Sequence, residues 1–154
     1  MNVPPCRPFM DATSPHCRCP QCETVHVLRA DFPHLISLRL SDDLRRLALV
    51  HLADVDAHAH ELVIGERDTL ALRRRWRPAQ GTTLGTPVPS ADGERVCVPL
   101  QGNEPGLFLV SDHEEPRRLS RGFDIDPRWR DDVITFYRLD QGTSQLMRID
   151  TRAA

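Results

Sequence analysis

Residues Ser90 to Trp129 read SADGERVCVPLQGNEPGLFLVSDHEEPRRLSRGFDIDPRW, and the punctuation of this stretch decides the fold. Asp92-Gly93 readily adopts the positive backbone angles of a tight turn and stands directly before ERVCVPL. Gly102 to Gly106 (GNEPG) separates that apolar run from GLFLV, and Gln141 to Ser144 separates VITFYRL from QLMRI. Both are expected hairpin loops. Beyond this stretch the same text continues as short apolar runs bounded by turn residues: TVHVL, HLISLRL, RRLALVHL, ELVIG, TLALR, ERVCVPL, GLFLV, RRLS, VITFY and QLMRI. Runs of this length and spacing predict an all-β chain of antiparallel strands.

The runs also repeat. SDDLRRLALV, from Ser41 to Val50, lies over SADGERVCVP, from Ser90 to Pro99, without a gap. A third copy, shortened by roughly two residues, begins at Trp129-Arg130-Asp131-Asp132 and runs into Val133 to Tyr137. A helix competes in one place: Ser41 could cap it, with Leu44, Leu47, Ala48, Leu52, Val55 and Leu62 at helical spacing. The alignment with residues 90 to 99 favours strands.

With the motifs laid out, the stretch from Ser90 to Trp129, followed by VITFYRLDQGTSQLMRID, resembles the blade repeat of TolB-like β-propellers. Ser90, Asp92 and Gly93 match that family's turn, Pro116 to Ser120 its third element, and Asp126, Pro127 and Trp129 the entry to the next blade. Ala91 stands where the family has a turn proline, and Arg130-Asp131-Asp132 replaces a full turn. The resemblance covers residues 84 to 150 and is weaker over 32 to 75. It implies about three antiparallel propeller-like blades. Closed propellers have at least four, so an arc of three would leave apolar faces for a partner. A homodimer of two arcs would supply six blades; a compact sandwich-like or split-barrel domain is the alternative.

Composition bounds the function. The chain has 154 residues, 40% hydrophobic and 27% charged, which suits one ordinary globular domain. Its 22 acidic and 20 basic residues leave a net charge of −2, so no overall field draws it to nucleic acid or anionic lipid. All the basic residues are arginine, which weakens any argument that one arginine was chosen for its fork. No apolar run approaches the roughly 18 residues of a membrane span, and MNVPPCRPFMDATSP lacks the apolar centre of an export signal. The expectation is a cytoplasmic protein without a membrane, although the TolB-like resemblance by itself implies periplasmic export.

Residues 1–23 form a Cys/Pro-rich arm without periodicity, ahead of a β-repeat domain over 24–154. Cys17, Cys19, Cys22 and His26 give CxCxxCxxxH, with Cys6 or His16 as substitutes. Thiolates and imidazole at this density suit tetrahedral zinc, and metal binding would order a segment too short for a core. Free thiols or a transient disulfide are the competing reading.

Elsewhere, His51, Asp54, Asp56, His58, His60 and Glu61 could hold an ion but align with the GNEPG loop, so a solvated hairpin is expected. Arg73-Arg74-Arg75-Trp76-Arg77 resembles a single-strand grip, yet alternation along a strand divides its charge, and nucleic-acid binding is not expected. The chain lacks GxSxG, GxxxxGK[ST] and HExxH. Asp124 and Asp126 would project together on a regular strand, as an acid/base pair needs, but Asp126 stands at the blade entry. Cys97, between valines, reads as a buried small hydrophobe. The functional expectation is a non-catalytic protein–protein interaction module, its partner another protein or a second copy. Trp76 and Tyr137 are the candidate anchors, and Trp129 is assigned to blade core. The alternative is a zinc-binding sensory or enzyme-like protein using the Cys cluster.

Overall fold

The computed structural model describes residues 32, 34–69 and 71–152, and every regular element among them is a β-strand. The strands form three antiparallel sheets, arranged as successive propeller-like blades. The first blade is a meander of β1 (Leu35–Leu40), β2 (Arg46–Asp54), β3 (Ala59–Glu66) and β4 (Leu72–Trp76). Residues 44 to 62 are thus a hairpin: the buried stretches 47–51 of β2 and 61–65 of β3 carry apolar residues on both faces because both faces of the pair are covered.

The second blade contains β5 (Thr82–Leu84), β6 (Val88–Pro89), β7 (Arg95–Gly102), β8 (Gly106–Ser111) and β9 (Arg117–Ser120). β5 and β6 are two pieces of one inner strand, pairing with the end and the start of β7 respectively. The break falls opposite Pro99, which has no amide proton to offer a continuous ladder. There the Gly85 amide donates to the Pro99 carbonyl at 2.8 Å. A Cβ on Gly85 would lie 2.8 Å from the proline ring, so glycine permits the approach.

The third blade consists of β10 (Phe123–Arg130), β11 (Val133–Asp140) and β12 (Thr143–Asp150) in sequential order. Nothing in the polar FDIDPRWR text announced β10. It pairs with β11 across a bulge between Ile125 and Arg128, which accommodates Pro127 and the left-handed Asp126 (φ 51°).

The repeat reappears as hydrogen-bond geometry. Ser41 Oγ donates to Asp43 at 2.6 Å and accepts from the Arg46 amide at 3.1 Å; Ser90 Oγ donates to Asp92 at 2.8 Å and accepts from the Arg95 amide at 3.2 Å. Each turn contains one left-handed residue, Leu44 (φ 60°) in the first and Gly93 (φ 73°) in the second. Gly93 is required twice over, because a Cβ there would lie 2.6 Å from Cβ of Arg46. In the third blade only Asp131 and Asp132 separate β10 from β11, a tighter turn than the sequence alignment implied.

Each blade covers its neighbour. Ala48, Val50, Leu62 and Ile64 of the first pack on Val96, Val98, Leu100 and Val110 of the second. Cys97 and Leu107 on the second blade's other face pack on Ile134 and Phe136 of the third. Buried aliphatic side chains contribute about 1.5–3 kcal/mol each, so these two seams dominate the fold's stability. An arginine at the head of the central strand in each of the first two blades pins the seam: Arg46 pairs with Asp112 of the second blade. Arg95 meets Asp132 at 2.6 Å and Thr151 at 2.9 Å in the third while lying over the Trp129 ring.

Candidate interaction surface

Arg46, Arg95 and Val133 begin the three central strands, so Ala48 and Val50 correspond to Cys97 and Pro99 and to Thr135 and Tyr137. Strand alternation puts each pair on the face that receives the following blade. In the first two blades that face is buried. In the third it is open: Phe123, Tyr137, Leu139 and Leu146 are exposed by 45%, 44%, 37% and 68%. Register binds them into one patch, because Tyr137 stands between Ile125 and Leu146 while Leu139 is opposite Phe123. Directly opposed residues share a face, so these apolar side chains are contiguous.

Charge is distributed unevenly along the same face. Arg128 and Arg148 flank Thr135, and Arg130 lies opposite Val133. Asp126 pairs with Arg128, Asp150 with Arg152, and Asp132 with Arg95 and Arg152. Among the described residues the side chains of Arg130 and Arg148 form no ion pair, while Asp140, at the far end of β11, falls by alternation on the opposite face, where its charge acts on Arg138.

Of the two expected anchors, Tyr137 lies on this open patch. Trp76 lies elsewhere: it is half-buried against the seam between the first two blades, stacked on Phe108 with centroids 5.2 Å apart. Trp129 packs at the second seam and donates its indole N–H to the Val88 carbonyl at 2.8 Å. Leu139, Leu146 and Phe123 escaped the sequence reading. The apolar period of two along VITFYRL was visible, but not which face would lack a neighbour.

The candidate zinc ligands Cys6, Cys17, Cys19, Cys22 and His26 lie outside the described residues. Among the described residues no three His, Cys, Asp or Glu side chains converge as metal ligands. The stretch from His51 to Glu61 is a hairpin whose turn spans residues 55–58, and only His51 and Glu61 meet, with Nε2 and Oε1 3.0 Å apart. Burial pushes the Glu61 carboxyl up, but hydrogen bonds from Arg77 and His51 and the charges of Arg75 and Arg77 outweigh it, leaving it below its ordinary range. Arg73 is taken up by Glu66, Arg75 and Arg77 by Glu61, and Arg74 by Glu115 of the second blade at 4.0 Å, so this arginine run serves acids of the protein itself.

The carboxylates of FDIDP do not form a pair. Asp124 is buried, receiving two hydrogen bonds from Arg138 at 2.8 and 3.0 Å, whereas Asp126 sits in the bulge and is engaged by exposed Arg128. Cys97 is fully buried, and burial drives its thiol far above the ordinary range, away from thiolate chemistry. No helix of the described residues is long and apolar enough to cross a membrane.

No family model matches the chain. No curated protein matches it either. Among solved structures it is similar to the β-propeller domain of the Trilobed protease from Pyrococcus furiosus, described as having an open velcro topology, at 14% identity and a TM-score of 0.37. The likeness covers 76% of this chain and 54% of the other, so the chain spans about half the length of that structure. The propeller-like arrangement rests on the strand order, register and burial set out above.

Proposed function

We propose that this chain is a non-catalytic protein–protein interaction module built from TolB-like blades, and that its contact surface is the outer face of the third blade. One observation carries the reading. The face that each earlier blade hides beneath its successor is, on the third blade, a contiguous apolar patch containing Phe123, Tyr137, Leu139 and Leu146. Patches of this kind, with an aromatic at the centre and charges at the rim, are suited to recognition. The Ser-x-Asp turns at Ser41 and Ser90, with matching hydrogen bonds, support the TolB-like assignment. The buried Cys97 thiol and the separated Asp124 and Asp126 supply no reactive group.

The test is a photo-reactive amino acid in place of Leu146, introduced in living cells. Cross-linking to a defined protein, a second copy included, is expected and should disappear when Tyr137→Asp is added. A probe at exposed Glu114 of the second blade is the control. Equal yields from the two positions would refute the proposal.

A further inference from the structure

We infer that the occupant of this surface docks by strand addition: an extended segment of another protein pairs antiparallel with the free edge of β12, with a large apolar residue opposite Leu146 and a carboxylate opposite Arg148. The inference rests on the interaction reading above and adds the docking mode and the chemistry of the partner. In the first two blades the third strand is covered by a fourth, β4 on β3 and β9 on β8, and both run antiparallel. Among the described residues β12 pairs with β11 alone. The outer strands of the earlier blades are poor templates for further pairing, since LRRRW and RRLS are short and crowded with arginine. β12 is eight residues long and uncharged from Thr143 to Met147, which leaves its edge open to a partner strand.

The turn before β12 fixes which backbone groups are on offer. Gln141 and Gly142 both have positive φ, 43° and 82°, so Asp140 and Thr143 flank a two-residue type I′ loop as a hydrogen-bonded pair. Bonded and non-bonded pairs alternate from there, and the Thr151 amide, donating to the Asp132 carbonyl at 2.9 Å, keeps the same phase at the far end. Ser144, Leu146, Arg148 and Asp150 therefore turn their N–H and C=O groups away from β11, toward the free edge. Their side chains lie on the open face.

The earlier blades show what fits there. Leu62, Leu107 and Leu146 occupy one position, paired with Val50, Pro99 and Tyr137 of the central strands. The first two are fully buried and the third is exposed. Trp76 of β4 stands opposite Leu62, and Leu119 of β9 packs on the cluster that contains Leu107. A large apolar residue is the equivalent opposite Leu146. Two residues along the same face, Arg148 is exposed and without an ion pair, so a carboxylate opposite it completes the charge. In an antiparallel partner that carboxylate comes two residues before the apolar anchor. Main-chain hydrogen bonds provide the affinity in this mode, so the small apolar area of the patch does not limit it.

The probe is the synthetic peptide SVEVWVTS, whose tryptophan and glutamate fall opposite Leu146 and Arg148, titrated to about 1 mM into the isotopically labelled full chain. Saturable binding is expected, with hydrogen exchange slowed at the amides of Leu146 and Arg148 and little changed at Gln145 and Met147, which already bond to β11. N-methylation of the peptide at its glutamate or tryptophan removes a ladder donor and should weaken binding roughly tenfold, whereas methylation at the valine between them should cost less than about threefold. Exchanging the peptide's glutamate for lysine should weaken binding several-fold, and Arg148→Glu should reverse that preference. Unchanged circular dichroism and melting would show that this surface variant still folds.

Absence of binding across the titration would overturn the inference. So would equal losses from the two kinds of methylation, or amides at Leu146 and Arg148 that gain no protection. Should Leu146 still cross-link to a protein in cells, the interaction reading survives such a result; without that cross-link, both fall.

Discussion

Pro99 and Leu107 of the second blade are buried, Leu107 against the third, whereas Tyr137 and Leu146, at the corresponding positions of the third blade, are exposed by 44% and 68%. The strands that carry them are alike in length, pairing and alternation. The difference therefore lies in the presence of a neighbour, and an apolar side chain contributes to stability only where a neighbour removes it from water.

The largest test of this contrast lies within β11, where consecutive residues face the two environments. Phe136→Ala should lower the unfolding free energy by about 3–5 kcal/mol. Tyr137→Ala should change it by less than about 0.5 kcal/mol. Urea denaturation measures both, and similar losses would mean that the open face is covered after all.

A smaller effect contrasts the third blade with the first, whose outer face holds buried His51 and Glu61. Glu61→Gln should cost about 1–3 kcal/mol at neutral pH, because hydrogen bonds to a buried carboxylate are weakened. The folded carboxyl is held below its unfolded value, so its contribution is fully present above the unfolded pKa and disappears as pH falls through the lowered folded one. Acid titration of stability should accordingly be shallower in the variant than in the parent chain. Curves that run parallel would show that Glu61 contributes no such linkage.

The smallest effect compares the two Ser-x-Asp turns. Leu44 is half exposed and left-handed, a conformation that costs a branched residue about 1–2 kcal/mol, so Leu44→Gly should stabilise the chain by up to about 1 kcal/mol. Gly93→Ala should destabilise it, because the added methyl meets Arg46 and Ser41 of the first blade. Thermal melts of the two variants moving in the same direction would break the equivalence of the turns.

Much of the fold was legible in the text. Nine of the ten apolar runs overlap described strands, and the tenth, TVHVL, lies outside the described residues. The strands that went unread have physical reasons. β5 and β6 are fragments too short to show a period, and β10 is polar and interrupted by Pro127. β4 lies a few residues beyond the expected TLALR, because in LRRRW the arginines reach acids of the chain while Leu72 and Trp76 pack inward. For the candidate surface, the sequence picked out Tyr137 but not Leu139, Leu146 or Phe123, since an exposed leucine in a strand has the same local text as a buried one.

What the sequence determined by itself is the repeat: alternation, turn chemistry and a recurring Ser-x-Asp turn specify strand, hairpin and blade through interactions a few residues long. Only the tertiary structure decided which faces are covered, which carboxylates pair with which arginines, and where the apolar patch is left open. Those outcomes depend on contacts between residues tens of positions apart, as with Arg46 and Asp112 or Arg95 and Asp132.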